Sequence, residues 1–399
     1  MTFPTTSASL AVGSNIFELW AREGQKLLDA IRRETNRPEE RRILRTFRRN
    51  EALEIGDLSG HQWLKYRSSL GLSDSAEARV TLADIHRMQE AVGNRPSRPP
   101  GTRPIRAAIS NFKGGAGKTS VSLHLSHYLA FRGWRVLIVD TDPQGTLSRF
   151  FDYLPEEVDP ETTLSIVFGT LDSMDIPTIT PTTTHVDGLD ILPASLDMIG
   201  ADIRVASAFQ SGAKGASNFY KLIDLALQKV EDDYDIILLD TAPAFSFAAL
   251  NLMWAANALI IPVPPSMPDF SASVDFCKML FDIISSIEGR VGTERVWNPA
   301  VVAHTRVDRS ATSDGIRKMS RRVWGLNQVE EVVPESRVFM HAFSRFRSLY
   351  EVTASEVDSR ALRRAREAVD TFGARMVQHF RAAWAEQLAS ADAEEIDHG

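Results

Sequence analysis

The sequence holds a single cysteine, Cys277, among 399 residues. It can form no intrachain disulfide, no paired-cysteine zinc site and no four-cysteine cluster, and a reducing cytosol is the expected setting. Long apolar runs are scarce too. The longest, Phe247 to Val263, contains Asn251 and Asn257 and ends in the Pro-rich PVPP. A buried helix followed by a buried strand fits it better than a membrane span. The first charge is Glu18, with no basic segment before it, which argues against a secretory signal. The expectation is a soluble cytoplasmic protein. The net charge of −7 excludes a uniformly basic nucleic-acid coat. No internal repeat or long low-complexity tract is visible.

What is present is ordinary in bulk and uneven in layout. A hydrophobic fraction of 43% and a charged fraction of 24% suit a globular chain, and at roughly 150 residues per domain the length predicts two or three domains. Residues 1–105 hold 17 Lys+Arg against 13 Asp+Glu, whereas the remainder holds 28 against 39. A basic N-terminal third on an acidic body suggests a polyanion-facing module, although Arg33, Arg37, Arg41, Arg42, Arg45, Arg48 and Arg49 would also serve as a solvated helix face. Gly93 to Pro104 has four prolines and two glycines in twelve residues. Such density blocks helix and ladder hydrogen bonds and reads as a linker.

Before the linker, Ile16, Leu19, Trp20, Leu27, Leu28 and Ile31 recur at helical spacing and predict a helix from about Ile16 to Arg33. It would pack on its own domain or dimerise. Three short helices follow, at Asn50–Ile55, His61–Ser69 and Leu82–Val92, the last capped by Thr81. The second would turn Trp63 and Leu64 inward and His61, Gln62, Lys65 and Arg67 outward. Helix, tight turn, helix with basic and amide side chains is helix-turn-helix logic, and such side chains suit base edges and phosphates. A small helical packing module has the same pattern.

After the linker the rhythm becomes strand–helix–strand. Short apolar runs at Arg106–Asn111, Val136–Val139, Ile191–Leu192, Ile236–Leu239, Leu259–Val263 and Pro299–Ala303 alternate with helical segments such as Lys118–Phe131. This predicts an α/β domain with a mostly parallel sheet covered by helices on both faces. Polar residues gather at the carboxyl ends of the runs, where open sheets bind ligands.

The decisive segment, Asn111 to Ser120, lies between a strand and a helix: Asn-Phe-Lys-Gly-Gly-Ala-Gly-Lys-Thr-Ser. Amides of Lys113, Gly114, Gly115, Ala116, Gly117, Lys118, Thr119 and Ser120 can converge on phosphate oxygens at a helix N-terminus. Lys118 would reach the terminal phosphates, and the Thr119 hydroxyl would bind Mg²⁺. The strict phosphate-loop pattern has glycine where Phe112 stands, and here a second lysine, Lys113, follows it.

Lys113–Thr119 resembles the deviant Walker A signature of the ParA/MinD family of P-loop ATPases. Val139–Gly145 (VDTDPQG) looks like that family's DxDPQG segment, and Asp235–Pro243 (DIILLDTAP) like its Walker B strand and DxxP turn. The resemblance spans about Arg106 to Glu386. It implies ATP and Mg²⁺ as ligands, Asp240 on the metal through water, Asp140 supporting the metal site, and Asp142 orienting or deprotonating the attacking water. It also implies that Lys113 acts across an ATP-dependent homodimer.

Within the family, an iron-protein-like reductase needs paired cysteines, and a MinD-like membrane ATPase needs a basic amphipathic C-terminal helix. One cysteine and an acidic end (SADAEEID) fit neither. The Asn50–Val92 layout, the Asn111–Lys113 loop and the Leu349–Val352 segment resemble the RepA partition proteins of RepABC replicons. The basic clusters Arg317, Lys318, Arg321, Arg322 and Arg337, Arg345, Arg347 are candidates for nonspecific DNA contact, or solvated helix faces. Leu362, Val369, Phe372, Met376, Phe380 and Trp384 would form the apolar stripe of a C-terminal helix, for core or dimer packing.

The expected organisation is an N-terminal helix (1–47), a helix-turn-helix-like module (48–92), a linker (93–105), an ATPase domain (106–389) and an acidic tail (390–399). The expected function is nucleoid-associated DNA partition with a ParB/RepB-like partner and operon autoregulation. An ATP-responsive repressor and an ATPase positioning protein cargo are the alternatives.

Overall fold

The structure, a computed structural model, describes residues 15–35, 44–71, 79–213 and 215–397. The chain divides into two units between Ile43 and Leu44. Helix α1 (Asn15–Thr35) is the described element of the first unit. Phe17, Trp20 and Leu27 are exposed on it, and the Phe17 and Trp20 rings meet edge-on at 5.6 Å.

The second unit opens with β1 (Phe47–Arg48), α2 (Arg49–Gly56), α3 (Gly60–Tyr66), β2 (Arg79–Val80) and α4 (Leu82–Val92). Sequence explains the helix starts. Ser59 accepts from the Gln62 amide while the Gln62 side chain accepts from the Ser59 N–H, and Thr81 and Asp84 do the same for α4. β1 and β2 pair antiparallel, Phe47 opposite Val80. Trp63, Ile85 and Met88 are buried as the apolar spacing predicts. Leu64 differs: it is 50% exposed, because neighbouring positions on so short a helix point to different faces.

This small layer shares a core with the sheet domain. Phe47 meets Phe131 edge-on at 5.5 Å, the Arg132 guanidinium donates to the Glu54 carbonyl (2.7 Å), and buried His86 spans from Asp187 to the Ala130 carbonyl. Residues 93–104 carry neither helix nor strand, as their prolines predict. They are fastened along their length: Arg95 donates to the Gly133 carbonyl (3.0 Å), and the Arg98 amide to Asp235 (3.0 Å).

The sheet domain runs β3 (Ile105–Ile109), α5 (Lys118–Phe131), β4 (Val136–Asp140), α6 (Thr146–Arg149), β5 (Thr182–Thr183), β6 (Leu189–Leu192), α7 (Ile199–Ser211) and α8 (Leu222–Gln228). It continues through β7 (Ile236–Asp240), α9 (Phe247–Ala255), β8 (Ala258–Val263), α10 (Met267–Val291), β9 (Ala300–Val307), α11 (Ala311–Trp324), β10 (Gln328–Pro334), α12 (Arg337–Phe343) and α13 (Ser359–Asp397). The strand order is β10-β9-β8-β3-β7-β4-β6-β5, and every pairing is parallel except β5 with β6.

The two-residue strand period sorts side chains between two cores. Ile105, Ala107, Ile109, Val136, Ile138, Ile236 and Leu238 enter one, with α5, α12 and α13. Ala108, Leu137, Val139, Ile237 and Leu239 enter the other, with α7 to α10. Leu362, Val369, Phe372, Met376, Phe380 and Trp384 form the buried stripe of α13. The helix continues through the segment expected to be a tail, up to Asp397. One charge lies deep in this frame: Arg106 of β3 is 1% exposed and pairs with Asp224 (2.5 Å) and Glu231. No helix among the described residues is long and apolar enough to cross a membrane.

Candidate nucleotide site

β3 and β7 pair in register, Ile109 opposite Asp240, so the turn after β3 emerges beside the carboxylate that ends β7. Asn111 is buried at the mouth of that turn. Its amide donates to the Pro262 carbonyl (2.9 Å) and to Ser273 Oγ (3.0 Å), while its Oδ1 accepts the Lys113 N–H (3.1 Å). Phe112 packs edge-on against Phe276 of α10, centroids 4.7 Å apart. An aromatic anchor thus stands where the strict loop has glycine.

Gly115 and Gly117 have φ of +78° and +89°. A Cβ on Gly117 would also lie 3.2 Å from Thr305, whose hydroxyl donates to the Ala116 carbonyl (2.6 Å). Both backbone conformation and space therefore demand glycine at 117. Gly114 and Gly115 are exposed, as a surface meeting phosphate requires.

Lys118 and Thr119 open α5. Lys118 is buried, and its ammonium donates to the Lys113 carbonyl at 3.3 Å. Burial lowers its pKa, and the charges of Asp240 and Asp142 oppose that shift. Thr119 Oγ1 donates to Asp240 Oδ2 (3.1 Å), while Asp240 Oδ1 accepts from Ser122 Oγ (2.6 Å). No motif marks Ser122 in the sequence, although it lies one helical turn beyond Thr119 on the same face. The half-buried Ser120 contributes its carbonyl to His124 Nδ1 (2.7 Å).

The other acids divide their work. Asp140 Oδ2 accepts from both the amide (2.9 Å) and hydroxyl (2.7 Å) of Ser148, and its Oδ1 accepts the Asp142 N–H (3.1 Å). Its contacts shape the turn carrying Asp142, whereas Asp240 is the acid that meets Thr119. Asp142 is half-buried and caps the Gln144 amide (3.0 Å). Burial raises the pKa of Asp140 and of Asp240 above the usual carboxylate range. Buried acids of this kind, with a hydroxyl and a lysine beside them, fit a magnesium–nucleotide complex. Lys113 is drawn to its own chain: Nζ lies 2.7 Å from Asp269 Oδ1 at the start of α10.

The basic residues are partly committed. Arg317 donates to the Glu330 carbonyl and pairs with Asp314, and Arg321 pairs with Glu330 (2.5 Å), leaving Lys318 and Arg322 as the exposed cations of α11. Arg345 Nη1 lies 3.0 Å from His341 Nδ1, and Arg347 pairs with Glu356 (2.9 Å). On α3, His61 and Lys65 are exposed. Gln62 is spent on the helix cap, and half-buried Arg67 ends the helix. Leu72 to Ala78, between α3 and β2, lies outside the described residues.

A glycine turn between a parallel strand and a helix, closed on the acid of the neighbouring strand, defines a P-loop nucleotide-binding protein. Residues 105–289 match the family model described as an AAA domain, AAA_31. The chain is 29% identical to protein SopA of Escherichia coli K12 over 326 residues, covering 79% of this chain and 82% of SopA. It is 26% identical over 366 residues to a putative replication protein A of Rhizobium rhizogenes, covering 87% and 89%. A solved structure described as a partition protein superposes with a TM-score of 0.63 at 18% identity, covering 92% of this chain and 98% of that one. The chain's homologues thus include SopA, replication-protein-A-like chains and Soj, and these similarities fit a P-loop ATPase of the ParA/MinD type.

Proposed function

We propose that the chain is a DNA-partition ATPase. It dimerises on ATP, binds DNA nonspecifically in that state, and hydrolyses ATP to ADP and phosphate under stimulation by a ParB/RepB-like centromere-binding partner. The observation that carries the reading is the 3.1 Å contact of Thr119 Oγ1 with Asp240 Oδ2, directly beneath the glycine turn. Similarity to SopA and replication protein A over most of their lengths supports the partition role.

Magnesium, when bound, would neutralise phosphate charge. Thr119 would hold it by its hydroxyl and Asp240 through water. Lys118, already desolvated, would place its ammonium on phosphate oxygens at little further cost in burial. Amides from Lys113 to Ser120 would fix the phosphates. Asp142 would orient the attacking water and take its proton. Phosphoryl transfer depends mainly on positioning and charge, so a lysine arriving from a second copy would act as an arginine finger does. Lys113 must leave Asp269 to do so.

The decisive experiment is binding to random-sequence duplex DNA with ATP, ADP or no nucleotide across a salt series. Affinity that appears only with ATP and falls steeply with salt supports this reading. Operator-only binding, independent of ATP, replaces it with a repressor built on the Leu44–Val92 module. ATP-dependent DNA binding without a centromere-bound partner points to protein cargo.

A further inference from the structure

Behind the nucleotide site, two turns further along α5, a second cluster is closed off from solvent. His127 of α5, His185 of the turn before β6 and Glu351 of the turn before α13 have side chains that are 0%, 2% and 7% exposed. Their ligating atoms all lie within 4.8 Å of one another.

The hydrogen bonds fix how His127 presents itself. Its Nδ1 lies 2.8 Å from the Leu123 carbonyl, which can only accept, so Nδ1 carries the proton. In the neutral ring Nε2 then offers a lone pair. It has no hydrogen-bond partner, and Glu351 Oε2 stands 3.5 Å away. On the other side, His185 Nε2 lies 2.9 Å from Glu351 Oε1. A buried imidazole lone pair facing a carboxylate is repulsive unless a second proton or a metal cation lies between them. Two ligands of one tetrahedral zinc, each about 2.0–2.1 Å from it, stand about 3.3 Å apart. The His127–Glu351 spacing matches this and is long for a hydrogen bond, whereas His185 Nε2 at 2.9 Å from Oε1 is a hydrogen-bond donor whose proton an entering ion would displace.

The surroundings suit a metal. The Leu123 carbonyl orients the His127 ring as a supporting acceptor does in zinc sites. Phe151 stacks on His127 at 5.6 Å and lies 5.9 Å from His185, and Tyr350 stacks on His127 at 6.1 Å, so the shell is apolar. Glu351 Oε2 also accepts the Ser348 N–H (2.7 Å), which holds the carboxylate in place.

We propose that His127, His185 and Glu351 form a structural site for a transition-metal dication, zinc by preference. The ion would be held by two imidazoles and one carboxylate, with water or the second Glu351 oxygen in the fourth position. Imidazole ligands select zinc over magnesium, so this site is chemically separate from the nucleotide's. The ion would tie three segments distant in sequence to the helix that carries Lys118.

The test uses the full chain without a histidine tag, stripped with chelator and free of nucleotide. Zinc, cobalt(II) or magnesium is then added at matched concentration. The expected result is about one zinc or cobalt retained per chain and a higher melting temperature with zinc than with magnesium. His185→Gln and Glu351→Gln should lose that metal while still binding ATP, which shows that they are folded. Equal metal content in the wild type and these variants overturns the site. A melting temperature that ignores zinc also overturns it. Stability that tracks pH instead would make the cluster a proton-shared ion pair. Should both variants fail to bind ATP, the wild-type melting response to zinc decides alone.

Discussion

Lys113 Nζ lies 2.7 Å from Asp269 Oδ1, so the lysine that would act on a second copy's nucleotide is held by the first turn of α10 in its own chain. The pair is partly exposed, and such pairs are worth about 1 kcal/mol or less. Asp269→Asn keeps an acceptor for the helix cap and removes the charge. Basal phosphate release, without DNA or partner, should rise about two- to fivefold. An unchanged or lower rate would remove the restraining role.

Lys118→Ala should abolish nucleotide binding, because the buried ammonium would be the cation on the terminal phosphates. Asp142→Ala should bind a fluorescent ATP analogue normally but not turn over. Fast hydrolysis by that variant would sink the catalytic assignment of Asp142.

Burial takes His124 down to about 4, while its Nδ1 bonds the Ser120 carbonyl and its Nε2 accepts the Leu349 N–H (3.2 Å). The unfolded chain therefore takes up this proton near its ordinary value of about 6.5, before the folded chain does. Stability contributed by neutral His124 is fully present above about pH 6.5 and falls as pH drops toward about 4, by on the order of 3 kcal/mol. Urea unfolding across that window should show a shallower pH slope in His124→Gln than in the wild type. Parallel slopes would refute the assignment.

Because Arg317 and Arg321 are tied to the Asp314–Glu330 region, Lys318 and Arg322 are the α11 cations available to phosphate. The double variant Lys318→Ala/Arg322→Ala should weaken ATP-dependent DNA binding on every sequence. It should also reduce the salt slope by about 2. A slope equal to wild type would move the contact to another face.

Arg106 is the buried centre of an Asp224–Arg106–Glu231 group. Arg106→Ala removes the buried cation that Asp224 and Glu231 share, leaves them the exposed Arg103, and should cost about 3 kcal/mol or more. The urea midpoint reads this directly, and a change below about 1 kcal/mol would show that water or Arg103 takes over.

The parts legible in the sequence were those whose signal is local. The glycine turn, the apolar runs of β3, β4, β7 and β8, and the Thr81 cap each announce themselves within ten residues. β10 carries no clear signal because Glu330 and Glu331 interrupt the apolar run of an edge strand, and β1 and β2 carry none because two residues leave no period. The acidic end of α13 reads as a tail because its charges oppose the helix dipole. Length carries the helix through, with the buried stripe up to Trp384 anchoring it. Pairings such as Lys113 with Asp269, or Asp140 with Ser148, depend on how the sheet folds back on itself. No spacing rule reaches them.

The strap at residues 93–104 is pinned to Gly133 and Asp235, and the layer from Leu44 to Val92 shares its core with α5. In a two-fold dimer of such chains, the distance between the two α3 helices would be a fixed dimension of the ATPase body. The assembly would then work as a caliper: its jaw opening, rather than a flexible tether, would set which half-site separations along a duplex fit both copies at once.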